Sequence, residues 1–261
     1  MVASENPSES AWPAVGERVA LQLEILVVLV VTFGLSGADA ALSLLQSALS
    51  PGGVGGQTVA LNASRATQST IDLLFQLLGD LRLLGWGALG LYLLWRSGIG
   101  PKALGLARIR GWDLGAGAAL AAVIGLPGLG LYLVAHALGA SVTIVPSGLG
   151  DHWWRLPALI LAAIANAVAE EILVVGYLVT RLRALGWSPN RQLAASALLR
   201  GSYHLYQGLG GGLGNLVMGV VFGRFWQRTT RLWPLILAHA TIDTVAYVGY
   251  TALHGHVSWL P

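Results

Sequence analysis

From about residue 20 to residue 254 the chain is a succession of apolar runs bounded by Gly, Pro and Arg clusters, near 20–48, 71–95, 112–139, 153–183, 191–206, 212–228 and 232–254. A run of roughly 20 apolar residues crosses a bilayer as a helix, and lipid offers backbone groups no other partner, so the sequence predicts an all-α bundle of about seven transmembrane spans. Composition agrees: 55% of residues are hydrophobic and 10% charged, far from a soluble domain. In 261 residues such a bundle leaves no room for a second domain. The expected organisation is a flexible cytoplasmic tail at 1–18 and a single membrane domain at 19–261.

The net charge of +3 does not point to nucleic acid, because the basic residues lie at the ends of apolar runs, where topology alone explains them. With the N-terminus inside and sides alternating, Arg18, Arg96, Lys102, Arg108, Arg110, Arg181, Arg183, Arg191, Arg224, Arg228 and Arg231 fall on the inner side. Only Arg65 and Arg155 fall outside. This bias predicts an N-in, C-out chain. Cysteine is absent, which removes disulfides, thiolate metal sites and a cysteine nucleophile. The run "GLGGGLG" at 208–214 has no strand before it and reads as a turn between spans rather than a phosphate loop. Asn215, Gly219 and Gly223, four apart, place small residues on one helix face for close packing.

The bilayer makes the acids informative. "NAVAEEILVVGYLVTRLR" at 166–183 carries Glu170 and Glu171 inside an apolar span, and His204, His239 and Asp243 lie in later spans. One such group at the bilayer centre costs on the order of 3 kcal/mol on insertion scales, so partners or a wet cavity are required. At a rise of about 1.5 Å per residue, Glu170 lies roughly 20 Å from Arg183, His204 roughly 20 Å from Arg191 and Asp243 roughly 18 Å from Arg231. His239 comes at about 12 Å, one turn nearer the cytoplasm. Three helices thus bring acid and imidazole to compatible depths. Consecutive helical residues diverge by about 100°, so one glutamate is expected to face the site and the other to brace it. Asn166 shares a face with Glu170, and His239 with Asp243. A carboxylate beside a neutral histidine can deprotonate water, and a second His with Asp can stabilise an oxyanion.

Four blocks, "EEILVVGYL", "SALLRGSYHLYQG", "GNLVMGVVFG" and "RLWPLILAHATID", occur in the order found in the CPBP intramembrane proteases, and the chain resembles that family over roughly 151–245. The family includes the type II CAAX prenyl endopeptidases and the bacteriocin-processing or self-immunity (Abi) proteins. The resemblance implies an intramembrane endopeptidase with its catalytic core in 151–245. It implies that Glu170 and His204 activate water, that His239 and Asp243 form the oxyanion site, and that Glu171 is the second acid of the pair. It also implies a multi-pass protein of the bacterial inner membrane that acts on a membrane-associated protein or peptide, prenylated in the CAAX branch. The alternative is a non-proteolytic scaffold or immunity protein that binds a membrane partner.

No cofactor is expected. An H-E-x-x-H zinc motif is absent, and a divalent metal such as zinc stays open as the alternative. The sequence departs from the family twice: Val175 stands where Arg is usual, and Arg200 where Phe is usual. The first change would leave Glu171 without a partner. Estimated depths place Arg200 within about one helical turn of Glu171, so Arg200 is expected to replace the missing arginine from the neighbouring helix.

Overall fold

The computed structural model describes residues 15–253 and 256, so residues 1–14 of the expected tail lie outside the described residues. The first apolar run forms two stacked helices, α1 (Val15–Leu29) and α2 (Leu35–Leu49), joined by a π-helical turn at Val30–Gly34. Thr32 is non-helical there (φ −123°, ψ −118°), and its hydroxyl donates to the Val28 carbonyl at 2.6 Å. Helices α3 (Ser69–Arg96) and α4 (Gly111–Ala137) follow as single rods. The next run is α5 (Arg155–Glu170), a π-helical stretch at Glu171–Tyr177 and α6 (Leu178–Ala184). Three helices complete the chain: α7 (Pro189–Ser202), α8 (Leu209–Thr229) and α9 (Trp233–Leu253). The protein is an all-α membrane helical protein, and among the described residues four rods are long and apolar enough to cross a bilayer, at Gly16–Leu49, Ser69–Arg96, Gly111–Ala137 and Arg155–Ala184.

Helix ends sort to two poles. At one pole a two-stranded parallel sheet joins β1 (Thr58–Ala60), after α2, to β2 (Thr143–Val145), after α4. Ser141 bridges to Gly208 at the α7–α8 junction, and the Trp154 indole before α5 donates to Ser69 at the start of α3. At the other pole Arg18 donates to the Leu185 carbonyl, Arg231 pairs with Asp113, and Arg224 reaches Asn190. The basic residues assigned to the inner side therefore gather at the pole opposite the sheet. The sheet itself was not expected. Its strands are three residues each, too short for a period-2 pattern to register.

Burial identifies the central rod. Of the most apolar window of Arg155–Ala184, 67% is buried, against 11–22% for the other three long rods, whose exposed Leu42, Leu45, Leu81 and Leu126 form an apolar outer face. Close approach comes from small residues. A Cβ on Gly219 would lie 2.8 Å from the Ala197 backbone, and one on Gly223 would lie 2.6 Å from Leu193, so the glycine face of α8 packs directly on α7.

Two local expectations are corrected. The glycine run is a turn only at Gly208 (φ 93°); from Leu209 onward it is the first two turns of α8. The fifth run is helical only to Ser202, so His204 lies in the break between α7 and α8 and not within a helix. Asp80 Oδ2 is buried without a hydrogen bond among the described residues, while Arg82 lies over the Trp86 ring.

Candidate active site

The site is assembled where the α-helical repeat of the central rod gives way to a π turn. Residues 171–177, "EILVVGY", combine β-branched Val174 and Val175 with Gly176, a poor α-helical stretch, and wind with one extra residue per turn. The Ser196 hydroxyl of α7 donates to the Val174 carbonyl at 2.7 Å, satisfying a backbone acceptor in this widened turn and pinning α7 beside it. Glu170 and Glu171 stand at the start of this irregularity, both buried.

Arg200 of α7 ties the two acids together. Its Nη2 lies 2.7 Å from Glu171 Oε1 and its Nη1 3.3 Å from Glu170 Oε2, with no side chain of the three more than 3% exposed. The expected division, one glutamate facing the site and the other bracing it, is therefore incomplete, because a forked guanidinium reaches two carboxylates that no single atom would. The Phe222 ring lies 5.8 Å from the Arg200 guanidinium carbon and Met218 Sδ 3.9 Å from Nη1, so apolar groups hold the cation in place.

The third helix contributes His239 and Asp243 of α9. His239 Nδ1 lies 2.8 Å from Glu171 Oε1, and its Nε2 faces Asp243 Oδ2 at 3.5 Å. Asp243 Oδ2 also accepts from the Asn166 amide at 3.0 Å and lies 3.4 Å from the Tyr247 hydroxyl. His204 Nδ1 lies 2.9 Å from the Arg200 carbonyl. A carbonyl can only accept, so Nδ1 carries a proton, and in the neutral imidazole the lone pair is then on Nε2. Glu170 interacts electrostatically with both His204 and His239.

All seven residues singled out in the sequence, Glu170, Glu171, Arg200, His204, His239, Asp243 and Asn166, are thus gathered around one buried cluster. Two members were missed. The Tyr203 hydroxyl donates to Glu170 Oε2 at 2.6 Å, with its ring stacked on Phe33 at 4.7 Å. Reading "SYH" as continuous helix hid this, because Tyr203 caps the helix rather than continuing it. Tyr247 was legible: it follows His239 and Asp243 at four-residue spacing on the same face of α9.

Residues 152–245 match the family model described as type II CAAX prenyl endopeptidase, Rce1-like. The matched segment contains the cluster from Asn166 to Asp243 but not Tyr247, and leaves α1–α4 outside it. No curated protein and no solved structure gave a significant match to the chain.

Proposed function

From the CPBP-family segment at 152–245, we propose that this chain is an intramembrane endopeptidase that hydrolyses peptide bonds of membrane-associated proteins or peptides with a water activated by Glu170 and His204. The observation that carries this reading is the meeting of Glu170, His204, His239 and Asp243 from three separate parts of the chain around Arg200. Glu170 takes a proton from water as the oxygen attacks the scissile carbonyl, and later delivers it to the leaving amine. His204, with its Nε2 lone pair free, shares the activation. The developing oxyanion takes its hydrogen bond from His239 Nε2, which faces Asp243 only at 3.5 Å, while Nδ1 stays on Glu171.

Glu171 and Arg200 brace the site, and Asn166 and Tyr247 hold Asp243. The donor set does not suit a resident divalent cation: the Arg200 guanidinium already lies against both glutamates, and His239 Nδ1 is engaged by Glu171.

The setting that goes with this chemistry is a bacterial inner membrane protein with about seven spans, N-terminus in and C-terminus out. It forms a single domain with its catalytic core at 151–245, and it needs no nucleic-acid partner.

The test is hydrolysis in H₂¹⁸O by purified protein reconstituted with solubilised membrane proteins. New carboxyl termini carrying ¹⁸O with the wild type, and none with Glu170→Gln, are expected. Equal labelling with both proteins would contradict the reading and favour a scaffold or immunity protein whose polar core joins three helices.

A further inference from the structure

Helix α2 carries a polar stripe that the chemistry above does not use. Ser36, Asp39, Ser43, Gln46 and Ser47 recur at steps of three and four, so they share one face of a helix whose other face presents Leu42, Leu45 and Leu49. That polar face borders two open clefts. Asp39 lines two adjoining cavities, of about 490 and about 300 Å³. The first has Ser36 and Ala40 on one wall and Tyr203 and Tyr206 on the other. The second continues past Ser43 and Ser47 to Thr58 at the sheet pole, and Tyr206 borders both. Together they form one groove from the sheet pole to Tyr203, whose hydroxyl donates to Glu170. α2 is held against the site because a Cβ on Gly37 would lie 2.5 Å from Ser202 Oγ.

Asp39 is exposed in the groove and makes no hydrogen bond or ion pair with the described residues. An ionised carboxylate within a membrane rod is costly unless it faces water or a partner. The groove is open enough to admit water or a partner, and the negative charge of Asp39 selects a cationic one.

Resting on the endopeptidase reading, we propose that the α2 groove is the path by which an extended peptide segment reaches Glu170 from the sheet pole, and that Asp39 is a specificity residue for a Lys or Arg side chain in that segment. Alternating Ser and Gln side chains offer hydrogen bonds to an extended backbone, and the two tyrosines offer flat walls. An anionic lipid headgroup is disfavoured by Asp39, and an acyl chain by the serines.

The natural absence of cysteine makes a test possible that requires no catalysis. Single variants Ser36→Cys and Ser43→Cys, with Leu42→Cys as the lipid-facing control, are reacted in membranes with cationic and anionic methanethiosulfonates, each rate normalised to a free thiol. Ser36→Cys and Ser43→Cys are expected to react at least about tenfold faster than Leu42→Cys. At Ser36→Cys the cationic reagent is expected to exceed the anionic one by about tenfold, the separation that a unit charge about 6 Å away produces in bulk water. In Ser36→Cys/Asp39→Asn that ratio should fall to near one. A Lys-containing hexapeptide should slow labelling at Ser36→Cys, and a Glu-containing one of equal length should not. Equal rates at Ser36→Cys and Leu42→Cys, a charge ratio indifferent to Asp39→Asn, or equal protection by both peptides would each overturn the proposal. Because labelling does not depend on Glu170, these results stand apart from the success or failure of the hydrolytic reading.

Discussion

Replacing Arg200 by Met keeps most of the side chain's length and removes the cation between Glu170 and Glu171. The two contacts, at 2.7 and 3.3 Å, have gross Coulomb energies of about 6 and about 5 kcal/mol at an effective dielectric of about 20. Desolvation of the three groups offsets most of that. What the variant exposes is the penalty of leaving buried carboxylates without a counter-charge, about 3 to 5 kcal/mol. By the scaling for soluble domains of about 150 to 250 residues, that corresponds to a fall in melting temperature of roughly 6 to 20 °C. The assay is thermal unfolding of purified protein in a mild detergent, run on Arg200→Met, Glu171→Gln and the double variant. Because Glu171 is the nearer partner, the double variant should recover much of the loss, so the two single effects should not add. A shift below about 2 °C for Arg200→Met, or strict additivity, would refute the inference that Arg200 supplies the charge that Val175 does not.

Tyr203→Phe removes one buried hydrogen bond to a carboxylate, worth about 1.5 to 3 kcal/mol, so the melting temperature should fall by roughly 3 to 12 °C and peptide hydrolysis should fall with the loss of the group that fixes Glu170; unchanged kcat would count against its role at Glu170. Gly219→Ala should destabilise by about 1 to 3 kcal/mol because its Cβ meets the Ala197 backbone, whereas Gly128→Ala, with nothing within 4 Å, should be neutral or slightly stabilising. Comparable melting temperatures for these two variants would contradict the close α7–α8 contact. Asp243→Asn keeps a hydrogen-bonding side chain beside Asn166 but removes the charge facing His239, and is expected to lower kcat more than it raises KM. A change confined to KM would move Asp243 from orienting His239 to binding substrate.

The sequence was most legible where membrane physics leaves few choices. Long apolar runs had to become helices, and acids within them had to find partners, so the gathering of Glu170, Glu171, Arg200, His239 and Asp243 followed from depth and helical phase. Arg200 was readable because a missing Val175-position arginine left a buried acid to be neutralised. The illegible parts depend on tertiary contacts. α7 stops at Ser202, so Tyr203 and His204 approach Glu170 from a helix break rather than from a helical face. The π turn after Glu170 changes the phase on which the divergence of the two glutamates was reckoned, and Ser196 of α7 helps to hold it. The α2 stripe was present in the sequence at helical spacing, but only its position opposite Tyr203 and Tyr206 distinguishes a groove from a solvated face.

The most direct test of peptide hydrolysis by Glu170 is quantitative profiling of protein N-termini in membranes of cells producing either the wild-type protein or Glu170→Gln at equal level. Gln preserves the size of the side chain and removes the base. The account predicts a defined set of termini present with the wild type and absent with the variant, which also names the substrate. Identical profiles from two folded proteins would contradict it.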